Sequence, residues 1–153
     1  MREARTLASW VIALIVTVLL VWMAADTLAP QPPARNHLFE VFRDSSEIAF
    51  FEPTGRFAFG VVGVLVALLV LVPPTRRVGA ILGVLLMAGM AALVGQLIMQ
   101  GIPVPVDTVD AAGKVTTADS DPSTTLYLVL GVLAASAALI FVHPGRDPDR
   151  ATG

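Results

Sequence analysis

Hydrophobic and polar positions in this chain do not alternate; they separate into blocks. Four uncharged, strongly apolar runs occupy roughly residues 7–25, 57–72, 78–98 and 126–142, and almost every charge lies between them. A run of about 17–25 apolar residues matches the hydrocarbon core of a bilayer. In lipid, the backbone of such a run satisfies its own hydrogen bonds only as a helix or within a closed barrel. Hydrophobicity that is continuous rather than alternating selects helices. The pattern predicts an all-α polytopic membrane protein, a four-transmembrane-helix bundle with spans near 7–28, 55–73, 77–100 and 124–143 in a single integral membrane domain, 1–153.

The segments between the runs carry their own patterns. Pro30-Gln31-Pro32-Pro33 is an extended stretch that ends the first span. In 34–51, Leu38, Phe39, Phe42, Ile48 and Phe51 recur at helical spacing among Arg35, Glu40, Arg43, Asp44 and Glu47. This predicts a short amphipathic helix, lying on the membrane interface or across the outer mouth of the bundle. Pro73-Pro74-Thr75-Arg76-Arg77 is a tight turn between the second and third runs. The loop 103–123 is rich in Thr, Asp and Val around Gly113-Lys114, and 104–109 with 114–117 reads as a small hairpin. Asp121-Pro122-Ser123 has the form of a helix start, with Asp or Ser as the cap.

Orientation follows from Lys and Arg in the short loops. With the N-terminus inside, Arg2, Arg5, Arg76, Arg77, Arg146 and Arg150 fall on the cytoplasmic side, against Arg35, Arg43, Arg56 and Lys114 on the other. Both termini are thus expected in the cytoplasm of a bacterium, with the two longer loops in the periplasm. Trp10 and Trp22 suit the two head-group boundaries of the first span. That span has a basic start and small residues near its end, as a signal peptide has. Its apolar stretch exceeds the 7–15 residues or so of a signal core, so it reads as a retained helix.

Composition narrows the chemistry. Of 153 residues, 56% are hydrophobic and 14% charged, well below the quarter or so of charged residues in soluble domains. A net charge of −2 without a basic cluster argues against a nucleic-acid partner. The absence of cysteine excludes disulfides, thiolate metal sites and thiol redox chemistry within this chain. Ionisable groups inside spans are functional candidates by default. Asp26, at the end of the first span, and Gln96, an amide well inside the third, are the polar groups to weigh as contacts for a quinone or a partner. Each also has a plain reading, Asp26 as a solvated helix end and Gln96 as an interhelical hydrogen bond. His37 and His143 fall on opposite sides and do not form a shared haem site. Asp107, Asp110, Asp119 and Asp121 match no cation-binding loop, and Glu40, Glu47 and Glu52 with Arg35, Arg43 and Arg56 read as exposed surface pairs. No catalytic group stands out, and no metal site. Gly79 with Gly83, and Gly131 with Ala135, place small residues one helical turn apart, as helix faces that meet other membrane subunits do.

Several short stretches resemble the DoxX-like family of small four-helix bacterial membrane proteins. They are Glu52-Pro53-Thr54-Gly55-Arg56, Gly60-Val61-Val62, Pro73-Pro74-Thr75-Arg76-Arg77-Val78-Gly79-Ala80, Met87-Ala88-Gly89 and Gly101-Ile102, spanning about a third of the chain. The turn from Leu71-Val72-Pro73 through Thr75-Arg76 into Gly79-Ala80 is the most specific of them. The resemblance implies the four-span topology, and some members resemble quinone-linked oxidoreductase subunits or belong to membrane redox complexes. This chain departs from the family pattern at three polar positions: Gly63 where an acidic residue is expected, Gln96 where a histidine is common, and Asp26 near a usual basic residue. The expected function is a non-catalytic accessory or scaffold subunit of a larger inner-membrane complex of the respiratory or photosynthetic electron-transfer type, in contact with the lipid bilayer. The alternative is a DoxX-type subunit of a quinone-linked oxidoreductase, holding quinone or lipid.

Overall fold

The computed structural model describes residues 2–28 and 37–142. Pro30 to Pro33, Arg35, His143, Arg146 and Arg150 lie outside the described residues, and with them the proline stretch and one of the two histidines. Four helices are long and apolar enough to cross a membrane: α1 (Arg2–Leu28), α3 (Thr54–Leu71), α4 (Arg76–Gln100) and α5 (Ser123–Val142). At 1.5 Å per residue, 18–27 residues give about 27–40 Å, a range that brackets a hydrocarbon core of about 30 Å. Between α1 and α3 come α2 (Leu38–Ser46) and a 3-10 turn (Ala49–Phe51); between α4 and α5 comes a hairpin of β1 (Val104–Val109) and β2 (Val115–Ser120). The fold is therefore mostly helical rather than strictly all-α.

The spans form a ring in which α1 packs on α3, α3 on α4, α4 on α5 and α5 back on α1. Each contributes a narrow buried stripe at helical spacing. In α1 it is Ser9, Ala13, Val16, Leu20 and Ala24; in α5 it is Val129, Val132, Ser136 and Leu139. Most other apolar side chains point outward, as in a bundle whose solvent is lipid. Two glycines let backbones touch. A Cβ on Gly79 would lie 2.6 Å from the Val70 backbone nitrogen, and one on Gly60 would lie 2.5 Å from Leu28 Cγ.

The turn between α3 and α4 is held by its side chains. The last four carbonyls of a helix have no partner within it, and in lipid each orphan costs several kcal/mol. The Val72 amide donates to the Leu68 carbonyl at 3.2 Å and the Thr75 hydroxyl to Leu69 at 3.0 Å, while Arg76 Nε donates to Val70 at 2.9 Å and Nη2 to Leu71 at 3.2 Å. All four orphans are served. Arg76 Nη1 also donates to Ser9 Oγ at 3.2 Å, and the guanidinium stands 4.1 Å from the Trp10 ring centroid, which ties α1 to the same knot. Arg76 is only 2% exposed. Its neighbour Arg77 is the exposed charge of that turn.

At the opposite end α2 packs across the mouth of the bundle. Leu38, Phe39 and Phe42 are buried, and Phe39 sits edge-on to Phe42 and 5.7 Å from Phe59 of α3. The helix is shorter than the apolar periodicity of 34–51 implies. It stops at Ser46 because Glu47 turns left-handed (φ 58°), and Ile48 is left exposed. The hairpin is longer than expected, pairing Val104 with Ser120 through Val109 with Val115. Its turn is set by Asp110, whose carboxylate accepts from the amides of Ala112 and Lys114, and by Gly113 at φ 78°. Asp121 Oδ1 accepts from the Ser123 amide at 2.8 Å and caps α5.

Arg76→Leu keeps the apolar stem and removes every donor, so it is expected to cost about 2–4 kcal/mol of stability. Arg76→Lys should recover less than half, because a single ammonium cannot replace a planar fork reaching three acceptors. Thermal unfolding in detergent measures both. An unchanged midpoint in Arg76→Leu would contradict the cap.

Candidate functional site

At the hairpin end a cavity of about 320 Å³ lies beneath α2, within the size range of small-ligand sites. α1 supplies Trp22, Met23, Asp26 and Thr27; α2 supplies Leu38 and Phe39. Phe59 of α3 and Met90 of α4 line the apolar part, and α5 adds Thr124, Thr125 and Leu128. Trp22 is 59% exposed, so this wall of the cavity reaches the outer surface of the bundle. Three aromatic rings and two methionines make most of it apolar, while a carboxylate and three hydroxyls occupy the level where α1 ends and α5 begins.

Asp26 owes its place to helix period. It lies two residues beyond the buried Ala24, which takes it off the core face of α1, and it shares the cavity lining with Thr124 and Thr125 of α5. Among the described residues it makes no hydrogen bond or ion pair. Thr27 Oγ1 donates to the Ala24 carbonyl at 2.8 Å, leaving that oxygen only its acceptor lone pairs. Thr27 is itself anchored, since Arg56 Nη1 donates to its carbonyl at 2.6 Å. The same guanidinium uses Nε on both oxygens of Glu52, at 3.1 and 3.0 Å, in a pair only 14% and 10% exposed. The reading of Glu52 and Arg56 as an exposed surface pair is thereby corrected. The pair is enclosed because Arg56 must reach an orphan carbonyl of α1.

Gln96 lies elsewhere. It faces outward from α4 in a row with Ala88, Gly89 and Ala92, and it does not line the cavity. The small residues divide in the same way. Gly79 meets α3, and a Cβ on Gly83 would lie 3.0 Å from Ser136 Oγ of α5, so both serve the bundle itself. A Cβ on Gly131 would meet nothing within 4 Å, whereas Ala135, one helical turn away, packs against the core.

A second polar cluster, not anticipated as such, closes α2 onto the hairpin. His37 Nδ1 lies 2.6 Å from Glu40 Oε2 and Nε2 lies 3.0 Å from Asp107 Oδ2, while Thr117 Oγ1 donates to Asp107 Oδ1 at 2.6 Å. The His37 amide also donates to the Pro105 carbonyl. Two carboxylates on opposite ring nitrogens require both nitrogens to donate, which is the imidazolium form. The hydrogen bond to Glu40 raises the His37 pKa above its ordinary 6.5; burial opposes it, and Asp107 adds to the rise. Glu40 is three residues from His37 and hence legible as a helical neighbour. Asp107 is 70 positions away, and no local signal marks it. Three of the four loop aspartates take separate duties: Asp107 on His37, Asp110 in the turn, Asp121 on the α5 cap. No cluster of three or more metal-ligating side chains occurs among the described residues.

No family model, curated protein or solved structure matches the chain.

The raised His37 pKa fixes the sign of a pH effect. A group that binds its proton more tightly when folded contributes its stability fully below the unfolded value of 6.5, and that contribution is lost as pH rises through the folded value. Wild type should therefore exceed His37→Gln by about 1 kcal/mol near pH 6, with the gap closing at alkaline pH. Thermal unfolding of the two proteins across pH tests this, and a gap that widens with pH would refute it.

Proposed function

We propose that the chain is a non-catalytic accessory or scaffold subunit of a larger bacterial inner-membrane complex of the electron-transfer type, with both termini cytoplasmic and the hairpin in the periplasm. The observation that carries this reading is the outer surface of the bundle. Ala88, Gly89, Ala92 and Gln96 share one outward face of α4, and Gly131, Ala134 and Ala138 share one of α5. Association in lipid is driven by close packing and interhelical hydrogen bonds rather than by hydrophobic force. Small residues on a lipid-facing surface allow a neighbouring backbone to approach, and an outward amide gains a partner when one does. The resemblance to DoxX-like proteins adds a family in which membership of membrane redox complexes occurs. The quinone-linked alternative rests on Asp26 at the cavity without Gln96, and is the weaker reading.

The test is extraction from native membranes in mild detergent, followed by mass spectrometry and an absorption spectrum. Co-purification with haem- or pigment-bearing subunits is the expected result; a lone homo-oligomer would count against it. Gly89→Leu and Gly131→Leu enter open space, so the unfolding midpoint should stay within about 0.5 kcal/mol of wild type while partner recovery falls. Full recovery of partners with both leucines present would remove these faces from the interface.

A further inference from the structure

We propose that the cavity beneath α2 is a binding site for the ammonium head of an amphiphile, with Asp26 as counter-ion and the rings of Trp22, Phe39 and Phe59 as its walls. The inference is independent of the subunit reading, since it concerns the hairpin end of a single copy.

The charge of the site is one-sided. Asp26 is the one ionisable group lining the cavity among the described residues, and it has no partner there. Arg56 at the same end of the bundle is committed to Glu52 and the Thr27 carbonyl, so it is not available to neutralise Asp26. A carboxylate beside apolar walls is complementary to a cation, and aromatic faces add to that preference, most for cations of low hydration. The hydrogen-bond inventory agrees. An ionised carboxylate only accepts, and Thr27 Oγ1 has spent its proton on Ala24. The carbonyl oxygens of a quinone accept as well and would find donors only in the Thr124 and Thr125 hydroxyls on the α5 side, whereas a primary ammonium brings three donors to Asp26 and Thr27. The level is also right. Asp26 lies two residues from the end of α1 and opposite the first turn of α5, where polar heads reside, while Met90 and Leu128 continue the cavity along the spans. A ligand with a cationic head and an acyl chain meets both halves, and a lipid with an ethanolamine head and a free alkylamine share this chemistry.

The 153 residues hold two tryptophans, so Trp10→Phe leaves Trp22 as the reporter at the cavity wall. The probe is phosphatidylethanolamine with brominated acyl chains, placed in nanodiscs of phosphatidylglycerol, which has no amine. Quenching of Trp22 beyond random lipid mixing is expected, corresponding to about tenfold preference for the amine head, and Asp26→Asn should abolish it. Asp26 is exposed and has no partner among the described residues, so that variant should keep the wild-type unfolding midpoint. Free ethanolamine that displaces the lipid would locate recognition in the ammonium alone, and failure to displace would show that the acyl chain is needed; both support the site. Quenching at the random level, an excess unchanged in Asp26→Asn, or displacement by a short-chain quinone with equal affinity in wild type and Asp26→Asn would overturn it.

Discussion

Four helices long and apolar enough to cross a membrane must find partners for the carbonyls at their ends, and the architecture follows from how two of those ends are capped. Arg76 reaches back across a short turn to the end of α3 and sideways to Ser9 of α1. Arg56 does the corresponding work at the other end of the molecule, reaching from the first turn of α3 to the Thr27 carbonyl at the end of α1. Each guanidinium carries positive charge to the negative pole of a helix and offers several donors in one plane, which an ammonium does not. Tight glycine contacts sit beside both caps, Gly79 near Arg76 and Gly60 near Thr27. Polar capping and close backbone approach therefore act at the same two places and hold α1, α3 and α4 in register.

The cavity inherits its geometry from this frame. Arg56 fixes the end of α1, and with it Thr27 and Asp26. Phe59, one turn further along α3, receives Phe39 of α2 and so locates the cover of the cavity. His37 immediately precedes that helix and joins it to β1 through Asp107. A chain of contacts thus runs from a helix cap inside the bundle to the polar surface of the hairpin, with the cavity enclosed along it. The half at the arginine turn is held by packing and by hydrogen bonds from Arg76 to uncharged groups, while the hairpin half adds partly buried ion pairs of titratable groups.

Much of this was legible in the residues, for identifiable reasons. The spans were readable because lipid demands long uninterrupted apolar runs, and the α5 start because Asp121 caps locally. Asp26 stood out as a lone charge at a span's end and does line the cavity. Which face of each span turns inward was not readable. With nearly every position apolar there is little moment to follow, so Gly79 and Gly131 look alike in sequence but face opposite ways. The burial of Arg76 was hidden for a related reason, since an arginine next to Pro73 and Pro74 looks like any loop charge until the helix end it serves is in place. Asp107 was hidden by distance along the chain, because a hairpin and a helix 70 positions apart leave no common period.

The two connections that reverse the chain differ in what they tolerate. The tip of the hairpin, 110–113, is exposed, and its bonds are confined to its own few residues. Added residues there disturb nothing beyond the turn. The turn at 72–75 is equally short and also exposed, yet the bonds that span it reach into α3 and α1. One inserted residue would carry Arg76 out of reach of Val70, Leu71 and Ser9 together. Variation in length is therefore open to this molecule at the hairpin end and closed at the arginine turn, so that new loops, tags or fused domains belong at 110–113.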